Sequence, residues 1–231
     1  ALNDLTEDQR AQIVAFESGL FTAQTVDNAA GPLNVFGALG GDSVLAGQQF
    51  FIGINDPLGV NPTKAPFNPR AFTLYRGWAF LNSTTTAQDV ARQSVARGEE
   101  IFNTRPITIT GVSGLNDELK MPSIVGTCTT CHDTPNVGNH SVSAPLNIGL
   151  TDASRRTPDL PLYTLANKTT GETVQTTDPG RALITGKWKD IGRFKGPILR
   201  GLAARPPYFH NGFAATLDDV VKFYDDRFTL K

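Results

Sequence analysis

Cys128 and Cys131 are the only cysteines in the 231 residues, and His132 follows the second directly. No other feature limits so sharply what this chain can become. Cys128-Thr129-Thr130-Cys131-His132 has the C-x-x-C-H spacing of a c-type haem attachment site. Two thiols one helical turn apart can each add to a haem vinyl group, and the adjacent imidazole then falls beneath the iron as proximal ligand. Other uses of such a pair fit less well. A closed zinc site needs two more ligands, and the remaining histidines, His140 and His210, do not belong to a second paired motif. A thioredoxin-like redox pair opens a helix after a strand, and no strand–helix–strand pattern surrounds this one. A structural disulfide would leave His132 unexplained. One covalent haem c, held by Cys128, Cys131 and His132, is therefore expected.

Haem c is attached outside the cytoplasmic membrane, so a periplasmic or otherwise exported location follows from the chemistry. The sequence opens Ala1-Leu2-Asn3-Asp4, without an initiator Met or a basic segment, as expected of a processed chain or one cut from a longer protein. No apolar run approaches the roughly 18 residues of a membrane helix, so the chain is not expected to span a membrane. Lys and Arg number 21 against 22 Asp and Glu, a net charge of −1. Binding to phosphate needs a basic surplus, so nucleic acid is not an expected partner.

The chain is long enough for one large or two small domains and for a core that needs no staples. Gly and Pro are a little over-represented, at 22 and 15 residues, which points to long, shaped loops. A helical and loop-rich extension is expected over 1–82 and a haem domain over 83–231. In the first, Thr6 and Gln9 have capping-box spacing, Ile13, Phe16 and Leu20 follow at helical intervals, and Gly19 marks the end. From Phe21 to Asn82 turn-makers recur, and aromatics from Phe50 to Phe80 are expected to pin the stretch to a neighbouring surface. A second helix is predicted from Ala87 to Phe102, capped by Thr86, with Ala87, Val90, Ala91, Val95 and Phe102 on one face. A short polar loop then leads to the cysteines. Leu162–Ala166 and Glu172–Thr176 flank an Asn-Lys-Thr-Thr-Gly turn and read as a small hairpin. The last helix begins after Thr216, and Leu217, Val220, Val221 and Tyr224 fall at i, i+3, i+4 and i+7.

Several blocks recur in one order. Arg97-Gly98-Glu99-Glu100-Ile101-Phe102 precedes the cysteines. Asp178-Pro179-Gly180-Arg181, Gly192-Arg193-Phe194-Lys195-Gly196-Pro197, Pro207-Tyr208-Phe209-His210-Asn211-Gly212 and Val220-Val221-Lys222-Phe223-Tyr224 follow them. With these blocks, roughly residues 85–228 resemble the bacterial dihaem cytochrome c peroxidase family, which includes a branch that matures methylamine dehydrogenase. The resemblance implies a mainly α, cytochrome c-like haem domain of the kind that forms the family's C-terminal, electron-transferring half. With one C-x-x-C-H, the peroxidatic haem of the other half is not expected here. The family's interdomain calcium uses backbone carbonyls before the His-x-Gly block. Arg205 stands in that stretch here, which puts the calcium in question. The chain also stops at Lys231, where the family often adds an apolar helix, so a slice of a larger protein or a reduced relative is expected.

For the sixth iron position four residues compete. The resemblance puts an axial ligand at the helix position of Tyr224, Met in the peroxidases and Tyr in the maturation branch, and the inward face agrees. Met121 is the runner-up, although from seven residues before Cys128 it must wrap the haem edge. The family keeps the equivalent of His210 near the haem edge without ligating this iron, and His140 reads as a loop residue. Of Arg193, Lys195 and Arg200, Arg200 is preferred as partner of a haem propionate. The expected function is electron transfer by a single haem, with a redox protein or second haem domain as partner. The alternatives are peroxide reduction, at this haem or with a second haem domain, and a haem subunit of a larger redox assembly.

Overall fold

A computed structural model of the protein describes residues 4–18, 23–82, 85–227 and 229–230. About 30% of the chain is helical and the sheets are small. By contact the chain forms two units that interleave along the sequence: residues 1–49 with 74–96, and residues 50–73 with 97–231. Among the described residues no helix is long and apolar enough to cross a membrane.

The first unit contains α1 (Glu7–Ser18), a two-residue antiparallel pair β1 (Val26–Asp27) and β2 (Gly31–Pro32), the short α2 (Asp42–Ala46) and the start of α3 (Ala87–Thr104). The Thr6–Gln9 capping box forms reciprocally: the Thr6 amide donates to Gln9 Oε1 and the Gln9 amide to Thr6 Oγ1. The apolar residues behind it stay largely in solvent, Phe16 being 67% exposed. Leu20 and Gly19 lie outside the described residues. Trp78 is the anchor of this unit. It is fully buried among Ala30, Leu33, Ala38 and Ala96, stacks on Tyr75 with centroids 5.1 Å apart, and donates from Nε1 to the Phe36 carbonyl. Phe50 and Phe80, by contrast, are exposed, so the aromatic stretch is only partly pinned.

The second unit centres on a three-stranded antiparallel sheet of order β4-β3-β7, with β3 (Ile107–Thr110), β4 (Ser123–Gly126) and β7 (Thr229–Leu230). Here the structure replaces the short polar loop expected before the cysteines. Ile107 and Ile109 alternate with Thr108 and Thr110, a period-2 pattern of β-branched residues, and both isoleucines are buried. They form a core with Val112, Leu115 and Leu146. Asn116 shapes the connection to β4: its Oδ1 accepts the Val112 amide while its Nδ2 donates to the carbonyls of Ile109 and Met121.

The expected hairpin forms as β5 (Tyr163–Ala166) and β6 (Thr173–Thr176), with Leu165 opposite Val174. The one-turn α4 (Ala182–Thr185) follows, and α5 (Leu217–Arg227) closes the unit. Helix α3 is capped as predicted, and α5 begins after Thr216 as expected. Thr86 Oγ1 accepts the Asp89 amide at the start of α3, which runs two residues beyond Phe102, and Thr216 Oγ1 accepts the Asp219 amide at the start of α5. The inner face of each departs from the expected set. Val90 is exposed on α3, while Ala96 and Asn103 are buried. On α5, Leu217 and Val221 are 40% and 61% exposed, and the inner stripe is Val220, Phe223 and Tyr224. The reason is Phe223, whose ring packs 4.8 Å from that of Phe209 under the Arg155 guanidinium. Burying the larger aromatic turns the helix about its axis and leaves Val221 outside.

Candidate functional site

The cysteine segment starts where β4 ends. Thr127 and Thr130 form a capping box around a single 3₁₀ turn, Cys128–Thr130, with the Thr127 amide donating to Thr130 Oγ1 at 3.0 Å. The amides of Cys131 and His132 both reach back to the Cys128 carbonyl, at 3.3 and 3.1 Å. This tight winding brings the two thiols and the imidazole onto one local turn. Both thiols are free. Burial pushes the Cys131 thiol up to about 12, with Asp133 and Cys128 adding to the shift, and burial also raises Cys128.

His132 is oriented by one contact. Its Nδ1 lies 2.6 Å from the carbonyl oxygen of Gly138, so the ring donates from Nδ1 and presents Nε2 as its free lone pair. The loop that supplies this carbonyl winds tightly: the amides of Val137 and Gly138 both donate to the Thr134 carbonyl. Gly138 has φ +76°, and a Cβ there would meet Phe72 at 2.6 Å and Leu199 at 3.0 Å. Burial lowers the His132 pKa, which favours the neutral, ligating imidazole. Phe102 on α3 flanks the ring at 6.0 Å.

Residues 53–73 fasten this turn from behind, a contribution that sequence reasoning did not find. Asn55 Nδ2 donates to the Asp133 and Asn68 carbonyls, Thr129 Oγ1 to the Pro69 carbonyl, and the Asn136 amide to the Ala71 carbonyl. Asn103 holds Phe72 by both its amide and its carbonyl. These partners stand 13 to 78 positions apart, and only the turn-rich composition of the stretch hinted that it was shaped.

Tyr224 and Cys131 pack against the same core of Ile107, Ile109, Val112, Leu115 and Leu146. Burial and then the Cys131 and Cys128 sulfurs raise the pKa of the Tyr224 hydroxyl, which lies close enough to feel both. Met121 lies outside this group, 47% exposed at the end of the 112–121 connection. Arg200 hangs from the His132 loop: its Nε donates to the Asn136 carbonyl at 3.1 Å, and its buried Nη2 has no hydrogen-bond partner. A buried guanidinium N–H without an acceptor fits a carboxylate not supplied by the protein. Arg193 is committed elsewhere, to Ser113, to Asp117 at 2.6 Å and to Asp190, while Lys195 is exposed. His210 is exposed, paired through Nε2 with Asp178 at 2.9 Å, its ring 4.3 Å from that of Phe194. His140 does lie in a loop, yet it is buried against Asp133. A turn with two thiols, an imidazole fixed through Nδ1, an orphaned guanidinium N–H and a nearby phenol together fit a covalently attached haem.

Comparison with known proteins finds partial matches. The chain is 34% identical over 110 residues to cytochrome-c peroxidase IdrP1 of Denitromonas iodatirespirans, and 33% identical over 104 residues to IdrP2 of the same organism. It is 30% identical over 107 residues to cytochrome-c peroxidase IdrP1 of Pseudomonas sp. (strain SCT). The IdrP2 match of Denitromonas takes in 43% of this chain and 28% of the relative, and each IdrP1 match 42% and 27%. The chain thus matches a little over a quarter of the length of these relatives. No family model matches it, and no solved structure does.

Proposed function

We propose that this chain transfers electrons through one haem c, bound covalently at Cys128 and Cys131, in a protein of cytochrome c peroxidase type. The single observation that carries the reading is the His132 Nδ1 contact to the Gly138 carbonyl, directly after the two thiols. An imidazole held this way has one orientation and one available nitrogen, the arrangement required of a proximal ligand. When bound, haem c supplies a one-electron ferric–ferrous couple. The remaining chemistry belongs to the chain. Cys128 and Cys131 fix the group in place, Arg200 offers Nη2 to a propionate, and the core behind Cys131 excludes water from one side. Tyr224 is the proposed distal ligand, and Met121 takes that role only if the 112–121 connection wraps around. The proposed setting is the periplasm or another exported compartment, with a redox protein or a second haem domain as electron partner. The fold proposed for the second unit is cytochrome c-like.

The test separates electron transfer from peroxide reduction. Peroxide chemistry needs an open iron position and a nearby acid–base group. Tyr224 as distal ligand would close that position, and the core beside it, Ile107, Ile109, Val112, Leu115 and Leu146, holds no acid–base group. The purified haem-loaded chain is expected to show a low-spin ferric spectrum, weak cyanide binding and almost no peroxide turnover with a reduced cytochrome donor. Turnover on the order of 1–10³ s⁻¹, typical of enzymes, would overturn the assignment.

A further inference from the structure

Asp56, Asp133 and His140 are 2%, 0% and 3% exposed, and one donor atom from each lies within 4.8 Å of the others. Most of their polar atoms are satisfied. Asp133 Oδ1 accepts the Ser141 amide at 2.7 Å, while its Oδ2 faces His140 Nδ1 at 3.1 Å and Ser141 Oγ at 3.3 Å. Asp56 Oδ2 accepts the Val60 amide at 3.2 Å. Two atoms are left over. Asp56 Oδ1 and His140 Nε2 are both buried without a hydrogen-bond partner.

An orphaned carboxylate oxygen and an orphaned ring nitrogen in one buried cluster can both be satisfied by a single cation. Among the described residues no lysine or arginine pairs with either carboxylate, and Asp133 faces His140 alone among the basic side chains. The pairing also has a direction. A histidine that binds metal through Nε2 almost always gives its Nδ1–H to a carboxylate, a backbone carbonyl or water, and Asp133 stands in that position beside His140.

We propose that these residues bind one divalent first-row transition ion, with Asp56 Oδ1 and His140 Nε2 as the protein ligands, water completing the coordination, and Asp133 as the carboxylate that orients His140. A mixed nitrogen and oxygen donor set suits Zn²⁺ better than Ca²⁺ or Mg²⁺, which favour oxygen alone. The site is distinct from the haem ligand, because His132 turns its Nδ1 to Gly138. Its role is to lock two segments already in contact, since the Gly53 amide donates to the Ser141 carbonyl and Asn55 Nδ2 to the Asp133 carbonyl. A bound ion would then stiffen the wall behind the cysteine turn.

Zn²⁺ is the probe. The full haem-loaded chain is dialysed against a chelator, given Zn²⁺, freed of excess by gel filtration and analysed for metal. The expected result is one zinc per chain in addition to haem iron, with a raised Tm. Asp56→Asn keeps an oxygen for the Val60 amide and puts an NH₂ group where the orphaned oxygen was. It is expected to retain the haem spectrum and to weaken zinc binding by roughly 10–100-fold or more. Asp178→Asn, at the exposed His210 pair, should leave the bound zinc unchanged. Absence of retained zinc in the parent chain overturns the proposal, whatever the variants do. So does equal retention by Asp56→Asn, or loss of the zinc on Asp178→Asn.

Discussion

Tyr224→Met is expected to raise the reduction potential of the haem-loaded chain by on the order of 0.1–0.3 V and to bring in a thioether–iron absorption band. The inner stripe of α5 carries Tyr224 to the core that also seats Cys131, so its side chain and the cysteine turn pack against one set of residues. A phenolate oxygen is hard and anionic and favours ferric over ferrous iron, whereas a thioether has the opposite preference. Burial and the two sulfurs hold the Tyr224 hydroxyl protonated in the polypeptide alone, so its ionisation requires a strong Lewis acid in contact with it. Tyr224→Phe removes the oxygen but keeps the ring packing against Phe223 at 5.3 Å, so the fold should survive. That variant is expected to take up cyanide readily. Redox titration and ferric spectra check both variants, and an unchanged ferric spectrum in both would return Tyr224 to a packing role.

Gly138→Ala is expected to cost about 2–4 kcal/mol of stability, combining the strain of a left-handed alanine with overpacking. The left-handed conformation at φ +76° disfavours any Cβ, and the space is already taken by Phe72 and Leu199. Phe72 has little freedom to retreat, because Asn103 holds its backbone on both sides and its ring meets Phe102 edge-on at 5.2 Å. The substitution also displaces the carbonyl that orients His132. Denaturant titration should show the loss of stability together with a changed haem spectrum. A loss below about 0.5 kcal/mol would mean that the loop relaxes freely.

What was legible in the sequence was local. The caps at Thr6 and Thr86 involve partners three residues on and form as read, and the start of α5 after Thr216 rests on an equally local contact to Asp219. The hairpin around Asn167 was legible for the same reason, since the Asn167 amide donates to the Glu172 carbonyl and its side chain accepts the Thr169 amide. The Ile107-Thr108-Ile109-Thr110 strand was not legible and stands where a polar loop is expected, because its alternation is only four residues long. Helix rotation was not legible, because Val221 and Phe223 compete for the core of α5 and only the surroundings of Phe209 and Arg155 decide between them. For the candidate site, three chemistry-bearing residues lay in one five-residue stretch. Their supports did not. Gly138 matters through a ring 66 positions earlier, and Asp56 reaches Asp133 and His140 only because a long turn-rich segment folds back. Arg193 stood beside Lys195 and Arg200 as a candidate propionate partner, and its engagement with Ser113 and Asp117 depends on contacts 76 to 80 positions away.

The most direct test of the central claim is the mass of the purified, denatured chain and of its Cys128–His132 peptide after acid–acetone extraction. The predicted result is one haem increment per polypeptide, carried on that peptide and remaining out of the organic phase. Haem recovered in the organic phase, or a peptide mass showing free or disulfide-linked Cys128 and Cys131, would contradict the account.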